Sequence, residues 1–219
     1  MPRLLFEKTG KAVWISHLDL MRLFQRSFKR AGLSLTHTQG FNPRPSVSIA
    51  LPLSVGVQSH CELLDFDLDG EAVPCDEILL RLNQSLIEGV RVLSVYDNGA
   101  KLKNIALLDC RVEFIYDNGI PEDAQNTIER LFSQTSLVVE KKGKNVVVEQ
   151  DIIPMIRSLK VNKTNDSVLS LDARICCQNP TLNPAQLCAA IGRYLPAYQP
   201  DFCRYTRLEI YDQNESVFR

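Results

Sequence analysis

Strand, helix, two strands, helix, strand is the order read in the first half of 219 residues, and the second half repeats it with one strand more between its helices. It predicts an α+β chain of two tandem ferredoxin-like (βαββαβ) halves with antiparallel sheets. Three observations carry the prediction. Apolar residues recur at three- and four-residue steps in two stretches of each half, as amphipathic helices require. Alternating, β-branched runs flank those stretches. Between the halves, Asp97-Asn98-Gly99-Ala100 is a turn, which places a boundary between residues 1–98 and 99–219. The repeat is one of pattern, with no visible identity between the halves.

The elements of the first half follow in order. Arg3 to Lys8 reads as a strand, and Gly10 turns the chain. Ser16 is an N-cap with Asp19 three residues on, close to a capping box, and the acid also suits the helix dipole. Leu18, Met21, Phe24 and Phe28 form the expected buried stripe, Arg22, Arg26 and Arg30 a basic one, and Gly32 the stop. Leu33 to Thr38 alternates as a strand, and Val47 to Leu53 is a short extended segment between prolines. Cys61 to Leu68 alternates Leu63, Leu64 and Phe66 with acidic residues, so it is expected to present an acidic side. Asp76 to Leu86 is a helix after Pro74, and Val90 to Tyr96 a strand.

In the second half, Leu107 to Tyr116 is a strand and Pro121 opens a helix to Phe132. Ser136 to Glu140 and Asn145 to Glu149 form a hairpin around Lys141-Lys142-Gly143-Lys144, whose lysines read as a solvated tip. Asp151 to Leu159 reads as a turn or short helix, and Val168 to Cys176 as a strand. Asn183-Pro184 opens a helix to Tyr194, with Asn as cap and Pro first, and Phe202 to Tyr211 is the last strand.

The net charge is −1, so nothing global marks a nucleic-acid binder, but its distribution is polarised. Residues 1–60 hold eight Lys or Arg against two Asp or Glu; residues 61–99 hold two against nine. The arginine stripe therefore has two readings: a surface for anions, or a partner for Glu62, Asp65 and Asp67. The start lacks the apolar run of a secretory signal and no stretch approaches a membrane span, so a cytoplasmic protein is expected. Seven cysteines without a C-x-x-C fit buried, reduced thiols better than a metal site, Cys176-Cys177 included. Neither G-x-G-x-x-G nor G-x-x-x-x-G-K-[ST] occurs, and no cofactor site is signalled.

One stretch concentrates the functional signals. After the capped helix, Gln39-Gly40-Phe41-Asn42-Pro43-Arg44-Pro45 combines a glycine with two prolines that stiffen the backbone around Asn42 and Arg44. It reads either as a solvated turn or as a rigid loop built to hold something. The candidate ligand residues are Ser16, His17, Asp19, Arg22, Arg26, Gln39, Phe41, Asn42 and Arg44. Trp14 reads as a core or staple residue rather than a stacking surface.

Ile15 to Met21, Gln39 to Pro45, Leu51-Pro52-Leu53-Ser54-Val55-Gly56-Val57 and Glu62 to Asp65 resemble an uncharacterised bacterial family, the radical-SAM-linked proteins. Lys141 to Lys144 and Asp151 to Ile156 resemble weaker features of it. The resemblance implies a partnership with a radical SAM enzyme, in a context of RNA or ribosome function. The chain is not that enzyme, because its cysteines lack the close triple spacing that an iron–sulfur cluster needs. Three functions are then expected in competition. The first is an accessory that binds RNA or an RNA-bearing substrate through the arginines, Phe41 and Arg44. The second is a metal-independent ribonuclease using His17 and His37 with Asp19. The third is a protein–protein docking module without nucleic acid.

Overall fold

Ten strands and four α-helices make up the computed structural model, which describes residues 1–142 and 147–219. The chain divides into two units, Met1–Asn104 with Arg219, and Ile105–Phe218.

The first unit runs β1 (Arg3–Lys8), α1 (His17–Arg30), β2 (Val47–Ile49), β3 (Val57–Phe66), α2 (Cys75–Ser85) and β4 (Val90–Tyr96). Its strands pair antiparallel, with β1 between β4 and β3 and β2 added to β3. Leu4 and Phe6 of β1 and Leu64 and Phe66 of β3 alternate onto one face, and α1 covers it with Leu20, Phe24 and Phe28. Phe24 meets Phe6 edge-on at 4.7 Å, and Phe28 lies 5.0 Å from Phe66. Leu18, expected in this stripe, is instead 66% exposed. At about 100° per residue it lies roughly 200° around the helix from Leu20, so it points away when Leu20 points in. Asn83 fastens α2 to β4, accepting from the Val92 amide at 2.8 Å and donating to the Val92 carbonyl at 2.9 Å.

Two expectations for this unit need correcting. Leu33 to Thr38 forms no continuous strand; single bridges join Leu35 to Leu68 and His37 to Pro45. The supposed acidic side of β3 is not a solvent face either, because Glu62 is buried with Leu63 and Leu64 around it. Glu62 shares the inward parity of Leu64 and Phe66, which charge alone does not override.

The second unit runs β5 (Ile105–Ile115), α3 (Ala124–Phe132), β6 (Val138–Lys142), β7 (Val147–Asp151), β8 (Ile156–Asn165), β9 (Val168–Cys176), α4 (Pro184–Tyr194) and β10 (Phe202–Asp212). Antiparallel pairing gives the order β10-β5-β9-β8, while β6 and β7 form a separate two-stranded sheet. The strand β8 occupies part of the stretch expected as a turn or helix; only Ile153–Met155 is helical there. Its sequence hid it, because Arg157, Ser158, Lys160 and Lys163 interrupt its apolar residues and only Val161 is fully buried. A strand at the end of a sheet tolerates such polarity. The cap of α4 is as expected: Ala185 donates to Asn183 Oδ1 and Asn183 donates to Gln186 Oε1, both at 3.0 Å. Of the basic hairpin tip, Gly143 and Lys144 lie outside the described residues, and Lys141 donates to the Thr181 carbonyl at 3.2 Å.

Candidate functional site

The opening of α1 is built from its own sequence. Ser16, in extended conformation, accepts the Asp19 amide at 3.2 Å and donates its hydroxyl to Asp19 Oδ2 at 2.7 Å. Arg22 donates to Asp19 Oδ1 at 2.9 Å. The Ser16 hydroxyl, and then the Arg22 guanidinium, hold the Asp19 carboxyl below the usual carboxylate range. This chain of contacts lies in solvent and gives the helix start a fixed carboxylate with a cation beside it.

Under it sits a charge that the sequence does not advertise. Lys8 is buried, and its Nζ donates to the Ile15 carbonyl at 2.9 Å, one residue before the cap. Burial pushes the Lys8 ammonium down in pKa, while the buried Glu62 carboxylate opposes that shift. The end of β1 thereby anchors the entrance to α1.

The arginine row divides by role. Arg30 donates to the Ser85 carbonyl at 2.7 Å and to Ser27 Oγ at 3.2 Å, closing the end of α2. Arg22 and Arg26 are exposed, and Arg26 has no hydrogen bond or ion pair among the described residues. The acidic residues of β3 are engaged elsewhere. Asp65 holds Arg3 at 2.5 Å, and Asp67 just beyond the strand accepts from Thr36 at 3.1 Å. The neutralising alternative for the stripe is therefore not what the fold adopts.

The loop after α1 is an arch. Thr38 donates its amide to the Arg44 carbonyl at 2.8 Å, the Arg44 amide donates to Thr38 Oγ1 at 3.0 Å, and Ser46 donates to the Thr36 carbonyl at 2.8 Å. These bonds close its base, and Gly40, at φ +138°, helps turn its crown. Gln39, Asn42 and Arg44 are exposed and Phe41 is fully so. The structure thus joins Ser16, Asp19 and Arg22 in one cluster and Thr38 with Arg44 in another. Among the described residues, no hydrogen bond links the two clusters, and none joins His17 to His37 or Asp19.

The family model described as "Uncharacterized protein conserved in bacteria (DUF2344)" matches residues 2–184, which include both clusters. The chain belongs to the DUF2344 family. No curated protein matches it. A chain of the "Crystal Structure of a Cbf5-Nop10-Gar1 Complex" superposes with a TM-score of 0.53 at 7% identity, over 95% of this chain and 48% of that one. That likeness is one of fold, a mixed α+β arrangement with mostly antiparallel strands, and the DUF2344 chain spans about half the length of its neighbour. A chain of the "Crystal Structure of an Unknown Protein from Galdieria sulphuraria" shares 10% identity over 94% of this chain and 96% of that one, with a TM-score of 0.27, and carries no argument.

Three further features of the DUF2344 chain bear on function. Trp14, expected as a core or staple residue rather than a stacking surface, is 65% exposed. It ends a short helical turn, Gly10–Trp14, and the signal for its exposure was its place two residues before the Ser16 cap rather than within a periodic stripe. All seven cysteines are free, and burial raises the Cys177 thiol to about 11 and Cys110 to about 12. Among the described residues no group of three or more His, Cys, Asp or Glu is placed to hold a metal, and no helix is long and apolar enough to cross a membrane.

Proposed function

We propose that this DUF2344 protein is a cytoplasmic accessory that binds RNA, or a substrate carrying RNA, for a partner radical SAM enzyme. The observation that carries the RNA reading is the state of the first two arginines of the α1 row. Arg22 and Arg26 stand in solvent, and no carboxylate of β3 reaches either. Exposed guanidinium groups on one helix face supply the sequence-independent attraction for phosphates. The exposed Phe41 and Arg44 of the arch add a stacking ring and another cation. The partnership with a radical SAM enzyme rests on the Ser16-His17-Leu18-Asp19 and Gln39-to-Pro45 blocks and the family they resemble.

The same proposal reads each unit as ferredoxin-like. In the first, β1, α1, β2, β3, α2 and β4 follow the βαββαβ order, with strands arranged β4-β1-β3-β2. In the second, β5, α3, β8, β9, α4 and β10 follow it with the arrangement β10-β5-β9-β8, the β6–β7 hairpin being inserted after α3.

Filter binding of RNA across a salt series tests the function. Retention that falls steeply with salt is expected; no retention of any RNA at low salt ends the reading. A second reading, docking of the partner without nucleic acid, is favoured by the apolar side chains of Leu18 and Val55, 66% and 54% exposed. Co-purification of the partner that survives both nuclease and the double change Arg22→Glu, Arg26→Glu selects that reading instead.

A further inference from the structure

We propose that the indole of Trp14 is a stacking platform for an unpaired base of single-stranded RNA, an inference that rests on the RNA reading above. The ring is 65% exposed, yet its seat is fixed. Trp14 closes the turn Gly10–Trp14, whose Ala12 is buried, and the Ile15 amide donates back to the Ala12 carbonyl at 3.0 Å. The Gly56 amide donates to the Val13 carbonyl at 2.9 Å, which brings Gly56 against the ring.

Gly56 is the floor of that seat. It adopts φ +86°, and a methyl group there would stand 3.3 Å from Trp14 Cζ3 and 3.8 Å from Cη2. The indole thus packs over the Gly56 backbone, and a side chain there would press on the ring as well as strain the backbone. This gives the Leu-Pro-Leu-Ser-Val-Gly-Val block, otherwise unused, a physical purpose: it holds an aromatic ring that the core does not take up.

The surroundings choose the occupant. Val55, next to Gly56 in the chain, and Leu18, four residues after Trp14, are exposed apolar side chains that either a base or a protein could cover. Lys11 lies in the same turn as Trp14, and Arg22 and Arg26 follow Leu18 at four-residue steps along one side of α1, where the carboxylate of Asp19 is already held by Ser16 and Arg22. An exposed ring followed in the chain by a row of exposed guanidinium groups fits a stretch of single strand: a base on the ring and phosphates along the helix. Inside a duplex both faces of a base are covered by its stacked neighbours, so the strand must be single.

Trp14 is the only tryptophan, so its emission reports on this site alone. The intact protein is titrated with single-stranded oligouridylate, with a duplex of equal length and with inorganic polyphosphate, while anisotropy of labelled ligand measures binding separately. The single strand is expected to quench the emission in step with binding, and polyphosphate to bind without quenching. Trp14→Ala is expected to weaken single-strand binding by about five-fold to about a hundred-fold, whereas Trp14→Phe, which keeps a ring, stays within a few-fold of wild type. Oligouridylate that binds without altering the emission, or equal affinity of the Trp14→Ala variant, overturns the platform and leaves the phosphate contacts of the RNA reading standing. Absence of binding by any RNA removes that reading and the platform with it.

Discussion

Replacing Arg26 by Gln should change the salt dependence of RNA binding by a predictable amount. Three guanidinium groups of the candidate site are exposed: Arg22, Arg26 and Arg44. For a single strand, each neutralised phosphate contributes about −0.7 to the slope of log K against log salt, so the three together give about −2. Affinity should then fall roughly twenty-fold between about 50 and about 200 mM salt. Arg26 makes no hydrogen bond or ion pair among the described residues and reaches Asp19 only through its field, so Arg26→Gln should remove nearly a full contribution and leave a slope of about −1.4. Arg22 shares its charge with Asp19 at 2.9 Å, so Arg22→Gln should lower the slope by less while weakening binding at every salt, because Asp19 is left uncompensated. Arg30 is spent on the Ser85 carbonyl, and Arg30→Gln should leave the slope unchanged. Filter binding at five or six salt concentrations measures all three. An Arg26→Gln variant with the wild-type slope refutes the assignment of a phosphate to that face of α1.

Other consequences can be checked by equilibrium methods. Phe24→Ala deletes a wholly buried ring that meets Phe6 edge-on, and urea unfolding should show a loss of about 3–5 kcal/mol. Lys8→Met removes an ammonium that bonds the Ile15 carbonyl and feels the field of buried Glu62, and urea unfolding should show a loss of stability, part of it recovered in Lys8→Met, Glu62→Leu; a double variant no better than the single one contradicts the coupling. The carboxyls of Asp19 and Asp123 are both held low, by Ser16 with Arg22 and by Asn126 with Thr127 and Arg130 respectively. A depressed folded pKa means that stabilisation is present above the unfolded value, about 3.9, and is lost as pH falls through the folded one. Carboxyl-carbon titrations by NMR should therefore have midpoints below the free-peptide value, and the starts of α1 and α3 should loosen only in more acid solution. Ser16→Ala should cost about 1 kcal/mol of stability through the lost cap and raise the Asp19 midpoint.

What could be read in the sequence is what depends on near neighbours. The Ser16 cap, the stop at Gly32 and the Asn183-Pro184 start of α4 each involve groups within a few residues of one another, and each forms as expected. What escaped depends on distant partners. The polar strand β8 exists because β9 pairs with it, and no local periodicity announces that. Trp14 looked like a core or staple residue by type, yet its indole rests against Gly56, some forty residues away in sequence. The buried Lys8 was legible in one respect: it shares parity with Leu4 and Phe6 on β1, as Glu62 does with Leu64 and Phe66 on β3. Period two placed both charges inward, and residue type argued wrongly for solvent.

That pair also bears on how a ligand would be held. A buried ammonium bonded to the Ile15 carbonyl fixes the chain where it enters α1, so Trp14, Ser16 and Asp19 are set before anything binds. The arch from Gln39 to Pro43 has a different support, a few backbone bonds at its base and an exposed crown. Groups already in place lose little freedom on binding, whereas ordering an exposed crown consumes part of the contact energy. The cap and arginine positions should therefore dominate affinity, and Phe41 and Arg44 should matter most where the RNA is long enough to reach both clusters. Truncating the oligonucleotide should erase the effect of Phe41→Ala before it erases that of Arg26→Gln. The reverse order would mean that the arch, and not the helix start, is the primary contact.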